Sequence, residues 1–345
     1  MKRITFCLFV WVNLFYAVGQ QPVYDPIDLY REDSTGIFQS EGAYDSENNR
    51  TGNWVEYQPF LTEIFDVDVT GKVPIKSIGT YVHCFKGEYV AGKREGKWEV
   101  FVIEERKTAR HIKIMDQYFS DGSPTDTWVY YDLAGNKVFA IDFDSLGVQV
   151  KKDEYYLNGQ IRTRAIFGAN DSSFTKSLYS MSGILLEEAT YADGKLEGRL
   201  REFYENGQLK FDDFFTAGEP DRIWKSYNEE GVLIQSTSYK KGVKNGDFKI
   251  YRDNGKLEVE GAYLNDKLHG TYKYYFPNGQ LWFEIRYENG QRWEIIGNYD
   301  MEGNVKEKGT LQDGEGTVYY YHQDGRLREI ITYKKGKVVE IEKID

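Results

Sequence analysis

The segment Tyr251-Arg-Asp-Asn-Gly255-Lys-Leu257 returns 24 residues later as Tyr275-Phe-Pro-Asn-Gly279-Gln-Leu281, and this recurrence decides the fold. The glycine of the segment recurs along most of the chain at the same interval, and only its last copy comes two residues early. These turn glycines are Gly135, Gly159, Gly183, Gly207, Gly231, Gly255, Gly279, Gly303 and Gly325. A fixed period of this length indicates an architecture of stacked structural repeats.

Each repeat is predicted to be a β-hairpin. Asn-Gly between apolar runs is a strong hairpin signal when both central turn residues take a positive φ. After the turn, Leu257, Val259, Gly261 and Tyr263 alternate with mostly polar residues. We therefore expect one face of the sheet to be buried and the other, here called the wet face, to be exposed to solvent. We therefore predict an all-β fold, an elongated, twisted antiparallel sheet or solenoid of stacked hairpins with the 24-residue period.

A second glycine follows the first by eleven residues, as in Gly194, Gly218 and Gly242, and marks a Gly-Lys loop between repeats. The repeat pattern is clearest over residues 86–345. Residues 21–85 are predicted to hold degenerate β repeats, with the poorest match over residues 58–85.

Residues 1–20 are expected to be a secretory signal peptide. Lys2 and Arg3 precede an apolar run that ends near the small residues Ala17 and Gly19. We therefore expect an exported protein that is periplasmic, on the cell surface or secreted. Removal of this segment would leave Cys84 as the sole cysteine, which excludes an intramolecular disulfide.

The net charge of −11 bears on the class of partner. An acidic surface repels phosphate backbones and anionic headgroups. We expect no nucleic-acid partner and no binding to an anionic membrane.

The upstream segment Gly87-x-Tyr89-x-x-Gly92-Lys93-x-x-Gly96-Lys97-Trp98-x-x-Phe101 alternates with the Tyr-x-x-Asn-Gly-x-Leu segment. Together they resemble the MORN repeat, in particular its bacterial variant, whose members often carry an antitoxin label. The resemblance implies an extended sheet of hairpins that serves as an interaction module, and it supplies no catalytic residues. The chain is similar, to a lesser degree, to the aromatic-glycine repeats of bacterial cell-wall-binding proteins.

The sequence predicts no enzyme, no cofactor and no metal site. The four histidines are His83, His111, His269 and His322, and they fall at different repeat positions without the spacing of metal ligands. We expect them at surfaces or turns. Ser173 and Lys176 have the spacing of a penicillin-recognising pair, but the helix that this chemistry needs is not predicted there.

Most tryptophans are predicted to lie in the core. Trp54, Trp98, Trp128 and Trp224 occupy a repeat position that holds Leu200 in another copy. Trp282 differs because its equivalents are Lys210, Glu258 and Arg328, which we assign to the wet face.

Trp282 and Trp293, with Arg286 and Arg292, form the candidate binding patch. Packing of the two tryptophans against the irregular repeat that follows is an equally good interpretation. The sequence thus favours a noncatalytic, exported module that binds a protein partner in the bacterial envelope. Binding of a glycan or cell wall through exposed aromatic residues, and an antitoxin-like neutralising role, are the alternatives.

Overall fold

The computed structural model describes residues 40–67, 74–103, 110–168 and 172–344, and these residues form strands, bridges and turns. The predicted signal segment 1–20 lies outside the described residues. No helix in the described part of the chain has the length and hydrophobicity of a membrane span. The chain divides into two compact units, Met1–Val148 and Gln149–Asp345, and this boundary falls within the predicted array 86–345.

The first unit is an antiparallel sheet in which each strand pairs with its neighbour in sequence. Its strands are β1 (Glu41–Tyr44), β2 (Arg50–Val67), β3 (Pro74–Val90), β4 (Lys93–Ile103), β5 (His111–Ser120), β6 (Ser123–Pro124), β7 (Thr127–Tyr131) and β8 (Lys137–Phe143). The pairs run from β1–β2 to β7–β8, and β5 pairs with both β6 and β7. Strands β2 and β3 pair along their length, from Gly52 opposite Tyr89 to Val67 opposite Pro74, and they include most of the stretch where the repeat pattern is weakest.

The second unit repeats the same arrangement. Its strands are β9 (Gln149–Tyr155), β10 (Ile161–Phe167), β11 (Ser173–Tyr179), β12 (Leu185–Ala192), β13 (Lys195–Phe203), β14 (Leu209–Thr216), β15 (Glu219–Tyr227), β16 (Leu233–Lys240), β17 (Val243–Tyr251), β18 (Leu257–Leu264), β19 (Lys267–Leu268), β20 (Gly270–Tyr275), β21 (Leu281–Glu288), β22 (Gln291–Asn298), β23 (Gly316–Tyr321), β24 (Leu327–Lys334) and β25 (Lys337–Lys343). Strands β9 to β22 pair in chain order, whereas β23, β24 and β25 form a separate sheet. The predicted all-β fold of stacked antiparallel hairpins is confirmed.

The Asn-Gly turns differ in type from the expectation. The nine turn glycines have φ between 80° and 95°, but the residue before each of them does not have a positive φ. Gly207 donates its N–H to the carbonyl of Tyr204 at 2.9 Å, and Tyr204 donates to Gln208. This is a type I turn followed by a left-handed glycine. The expectation that both central residues take a positive φ was wrong here.

The tight two-residue turn with both residues left-handed is instead built on the second set of glycines. Ala217 and Gly218, for example, have φ of 52° and 86°. The N–H of Gly218 donates to the carbonyl of Leu196 in the preceding hairpin at 2.9 Å. These turns therefore connect successive hairpins as well as reversing the chain.

A bulge after each Asn-Gly turn breaks the predicted alternation. Tyr251 lies opposite Leu257 while Ile250 lies opposite Val259, so Glu258 is an extra residue. An extra residue in one strand rotates the side chains that precede it relative to those that follow. Leu257 was predicted to share a face with Val259, and it lies on the other face with Tyr251 instead.

The sheet of the second unit thus has two chemically different faces. The ring face carries two repeat positions that lie opposite each other on neighbouring strands. One holds Ala189, Asp213, Thr237, Gly261 and Ile285, and the other holds Leu200, Trp224, Phe248 and Tyr272. The ladder face carries a row in which each residue lies opposite the next, namely Asp153, Arg164, Ser177, Glu188, Arg201, Asp212, Lys225, Ser236, Lys249, Glu260, Lys273 and Glu284. Five cations and five carboxylates make this row neutral.

Large rings fill the core of the first unit. Trp54, Trp98 and Trp128 are buried, as predicted, and join one hydrophobic cluster. A Cβ atom on Gly87 would lie 2.2 Å from the ring of Trp98, so this position requires glycine. His83 is also buried, which corrects its predicted place at a surface or turn, because it lies within β3 where β2 and β4 pair with both edges of the strand.

Candidate binding cleft

The C-terminal part of the second unit holds the other large hydrophobic cluster. Its buried members are Ile285, Ile295, Leu311, Val318, Ile331 and Tyr333. They come from β21 and β22, from the irregular segment that follows, and from β23 and β24. Ile295 donates its N–H to the carbonyl of Leu311 at 3.0 Å, which joins β22 to that segment.

A cleft of about 230 Å³ opens beside this cluster. Six aromatic side chains line it, together with two aliphatic residues, an amide and a guanidinium. The lining residues are Tyr274, Trp282, Phe283, Ile295, Asn298, Val318, Tyr319, Tyr320, Tyr321 and Arg328. Its walls are therefore mostly aromatic with two polar side chains, while its volume lies below the range of about 300–1,000 Å³ that is usual for ligand pockets.

Trp282 reaches the cleft because of the bulge. Tyr275 lies opposite Leu281 and Tyr274 opposite Phe283, so Trp282 is the extra residue. Its half-buried ring stacks on Phe276 at 4.5 Å with an interplanar angle of 12° and contacts Tyr274 at 5.5 Å. The assignment of this position to the wet face was wrong, since the extra residue turns toward the ring face. Phe276, which is buried, holds the indole from behind.

The polar groups of the cleft are Asn298 and Arg328. Asn298 is buried and donates from Nδ2 to the carbonyl of Tyr319 at 2.7 Å. Arg328 is half-exposed and forms an ion pair with Glu329 at 2.5 Å. Arg328 occupies the same bulge position in its repeat as Trp282, because Tyr320 lies opposite Glu329 and Tyr321 opposite Leu327.

Arg292 lies behind one wall of the cleft, among tyrosines. Its Nε donates to the hydroxyl of Tyr287 at 3.0 Å, and Nη1 donates to that of Tyr333. The guanidinium lies 5.7 Å from the ring centroid of Tyr320, a cleft residue. Burial raises the pKa of Tyr320, so its hydroxyl stays protonated at neutral pH.

Trp293 and Arg286 lie outside the cleft lining. The half-buried Trp293 packs on the next repeat, since a Cβ atom on Gly314 would lie 3.0 Å from its ring. Arg286 is exposed on the ladder face and pairs with Glu294 at 3.1 Å. Of the four residues of the candidate patch, Trp282 lines the cleft and Arg292 supports it.

Sequence reasoning missed the other aromatic walls, Asn298 and Arg328. A signal was present in Arg328, which shares the repeat position of Trp282 and was grouped with it. The walls from Tyr319 to Tyr321 depend on how the separate C-terminal sheet packs, and the repeat period carries no information on that packing.

The sequence profile described as MORN repeat variant matches residues 196–216, 223–241, 244–265, 268–289 and 314–335. The chain carries MORN-variant repeats. MORN repeats are in general modules that interact with proteins or membranes. No curated protein matches the chain.

Among solved structures, the chain is similar to one described as "Crystal Structure of TcdB2-TccC3-TEV", with 12% sequence identity and a TM-score of 0.17. The alignment covers 88% of this chain and 17% of that one. The chain therefore spans about a sixth of the length of the structure it matches.

Proposed function

We propose that this MORN-variant protein is an exported, noncatalytic module of the bacterial envelope, and that it binds a partner protein through the aromatic cleft beside Trp282. The cleft carries the proposal, because it gathers six rings, an amide and a guanidinium around one concave site. Tryptophan, tyrosine and arginine are the side chains that dominate protein-binding hot spots. The partner would insert an apolar side chain against Trp282.

Rigidity of the walls supports this proposal. Trp282 is stacked on Phe276, and Tyr320 is backed by Arg292, so both rings are held in place before a partner arrives. Preformed walls reduce the entropy lost on binding. The net charge of −11 fits a protein partner better than nucleic acid or an anionic membrane.

A photoreactive side chain placed in the cleft tests the proposal in the cells that produce the protein. The crosslinker replaces Tyr321 at the cleft, and in a matched control it replaces Lys249 on the ladder face. We expect one defined crosslinked protein from position 321, identified by mass spectrometry and lost when Trp282→Ala is added. Equal crosslinking from both positions, or persistence after Trp282→Ala, would contradict partner binding at the cleft.

Export is tested separately. The proposal rests on residues 1–20, whose charged start and apolar run have the pattern of a cleaved signal. Mass spectrometry of the protein from the envelope fraction should show a mature N-terminus near residue 20. A full-length chain confined to the cytoplasm would contradict export.

A further inference from the structure

The ladder face carries an aromatic stripe that the cleft does not use. It consists of Tyr155, Tyr179, Phe203, Tyr227, Tyr251 and Tyr275, one from each successive hairpin. All six side chains are half-buried. The hydroxyl of Tyr275 donates to Glu260 of the charged row at 2.7 Å, which places the stripe beside that row.

The stripe is continuous because of the bulges. Each ring lies opposite an isoleucine or leucine on the next strand, as in the pairs Tyr251–Leu257 and Tyr275–Leu281. The result is a one-residue-wide apolar track with a ring on every second strand. Neighbouring strands lie about 4.8 Å apart, so the rings recur about every 10 Å.

This spacing selects for a polymer with a matching repeat. In an extended β-1,4-linked glycan, each sugar is turned by half a turn relative to the one before, so the same sugar face recurs once per disaccharide. The length of that disaccharide is close to two strand spacings. Each ring of the stripe can then stack on the same face of every second sugar.

The charge beside the stripe favours a glycan over a polyanion. The neighbouring row has equal numbers of cations and carboxylates, and several are already paired, including Arg164 with Asp153 and Lys249 with Glu260. Paired charges offer hydrogen-bond donors and acceptors to sugar hydroxyls without a net positive field. The twist of the sheet fits a free glycan strand, which can also twist, better than a flat crystalline surface.

We propose that the aromatic stripe of the ladder face binds a single extended strand of a β-1,4-linked glycan, with one ring for each disaccharide. This surface is separate from the cleft, and the proposal does not rest on partner binding there.

Calorimetry with the full-length mature protein tests the stripe. The ligands are chito-oligosaccharides of increasing length, with α-1,4-linked malto-oligosaccharides as the control. We expect the affinity for chito-oligosaccharides to rise with each added pair of sugars, and the α-linked series to show no such rise. An affinity independent of length, or equal affinity for both series, would overturn the proposal.

Ring variants separate stacking from folding. Tyr179→Leu, Tyr227→Leu and Tyr251→Leu keep an apolar side chain but remove the flat ring, and each should weaken binding roughly tenfold. The matched Tyr→Phe variants should bind like the wild type. Loss of binding in Trp282→Ala with full binding in all three Tyr→Leu variants would place the glycan in the cleft and overturn the stripe.

Two insoluble ligands identify the source of the glycan. Retention on both purified peptidoglycan and chitin supports recognition of the shared β-1,4 backbone. Retention on peptidoglycan alone supports a bacterial cell-wall strand as the ligand. Retention on neither would overturn the proposal, while the crosslinking result at the cleft would be unaffected.

Discussion

Two regions of the second unit share one repeat but differ in what their ring faces bury. In β20–β24 the ring face carries Ile285 at 0% exposure, within a hydrophobic cluster that draws on both sheets. In β12–β16 the equivalent positions hold Ala189, Asp213 and Thr237, whose side chains are buried but small. The hairpins β13–β14, β15–β16 and β20–β21 have the same backbone pairing, whereas β23 and β24 belong to the separate sheet.

The difference shows that the residues that fix the backbone of a hairpin recur independently of the side chains on its ring face. Turn glycines and bulges recur in both regions and fix the hairpins. Side chains at the ring face then make one region an apolar core with a cleft. The other region buries fewer apolar side chains, with Phe215 packed against Trp224, and carries paired charges on its ladder face.

Substitution of the same repeat position in each region should give the largest contrast. Ile285→Ala removes a fully buried side chain and should lower the free energy of unfolding by about 2–5 kcal/mol. Thr237→Ala, its matched control, should cost about 1 kcal/mol, since it removes one methyl-sized group and a hydrogen bond from Gln235. Urea denaturation measures both, and equal costs would contradict the contrast.

Asp213 should make the polar region sensitive to pH. Burial, followed by the charges of Glu202 and Asp212, raises the pKa of Asp213 to about 7. The unfolded chain has an Asp pKa near 3.9, so stability contributed by the protonated form is lost as pH rises from about 4 to 7. Asp213→Asn should therefore stabilise the protein at pH 8 and change little at pH 4.

The neighbouring Asp212 provides the opposite control. Its pKa is lowered, first by the hydrogen bond from Arg199, so its ionised form is the one that the fold favours. Asp212→Asn should lower the thermal midpoint slightly at pH 8. A destabilising effect of Asp213→Asn at pH 8 would show that its carboxylate is accommodated in the fold.

The turn glycines should behave alike in both regions. A Cβ atom on Gly207 or on Gly279 would meet nothing within 4 Å, so valine at either position tests backbone strain alone. Gly207→Val and Gly279→Val should each cost about 1–3 kcal/mol, because a β-branched residue disfavours positive φ. Gln280→Ala, in the same turn, should leave the thermal midpoint nearly unchanged. A midpoint of Gly279→Val equal to that of the wild type would refute the turn geometry.

Single charge pairs of the ladder face should have the smallest effect. Lys249 and Glu260 lie 3.8 Å apart, and both are partly exposed. Lys249→Ala should change the free energy of unfolding by less than about 1 kcal/mol, because solvent and salt screen such a pair. A loss well above that value, persisting at high salt, would show that the ladder stabilises the array as a network.

The sequence predicted the positions of the hairpin turns better than the sheet face on which each side chain lies. Glycine spacing predicted every hairpin turn in the series from Gly135 to Gly325, since only a left-handed residue fits there. The period-two assumption failed at Leu257 and Trp282, because an inserted bulge residue changes the face without changing the spacing of the glycines. The type of the Asn-Gly turns was predicted wrongly for a related reason. A glycine indicates a positive φ at its own position, but it does not indicate the conformation of the residue before it.

The cleft was only partly predictable. Trp282 stood out because it replaces charged residues at its repeat position. Its partners Asn298 and Tyr320 are brought to it by the packing of β23 beyond an irregular segment, and that packing is a property of tertiary structure. Arg292 shows the same limit, since it supports the cleft through hydrogen bonds to the half-buried Tyr287 and the buried Tyr333, which the repeat pattern does not predict.

Hydrogen exchange of backbone amides, followed by mass spectrometry, tests most directly whether the two regions differ in stability although they share the same repeat hairpin. Opening a hairpin in β20–β24 exposes a hydrophobic cluster, whereas opening one in β12–β16 exposes fewer buried apolar side chains. We predict that amides of β21, β22 and β24 exchange more slowly than those of β12 to β14. Equal protection along the unit, or faster exchange in β21 and β22, would contradict the separation of backbone from side-chain stabilisation.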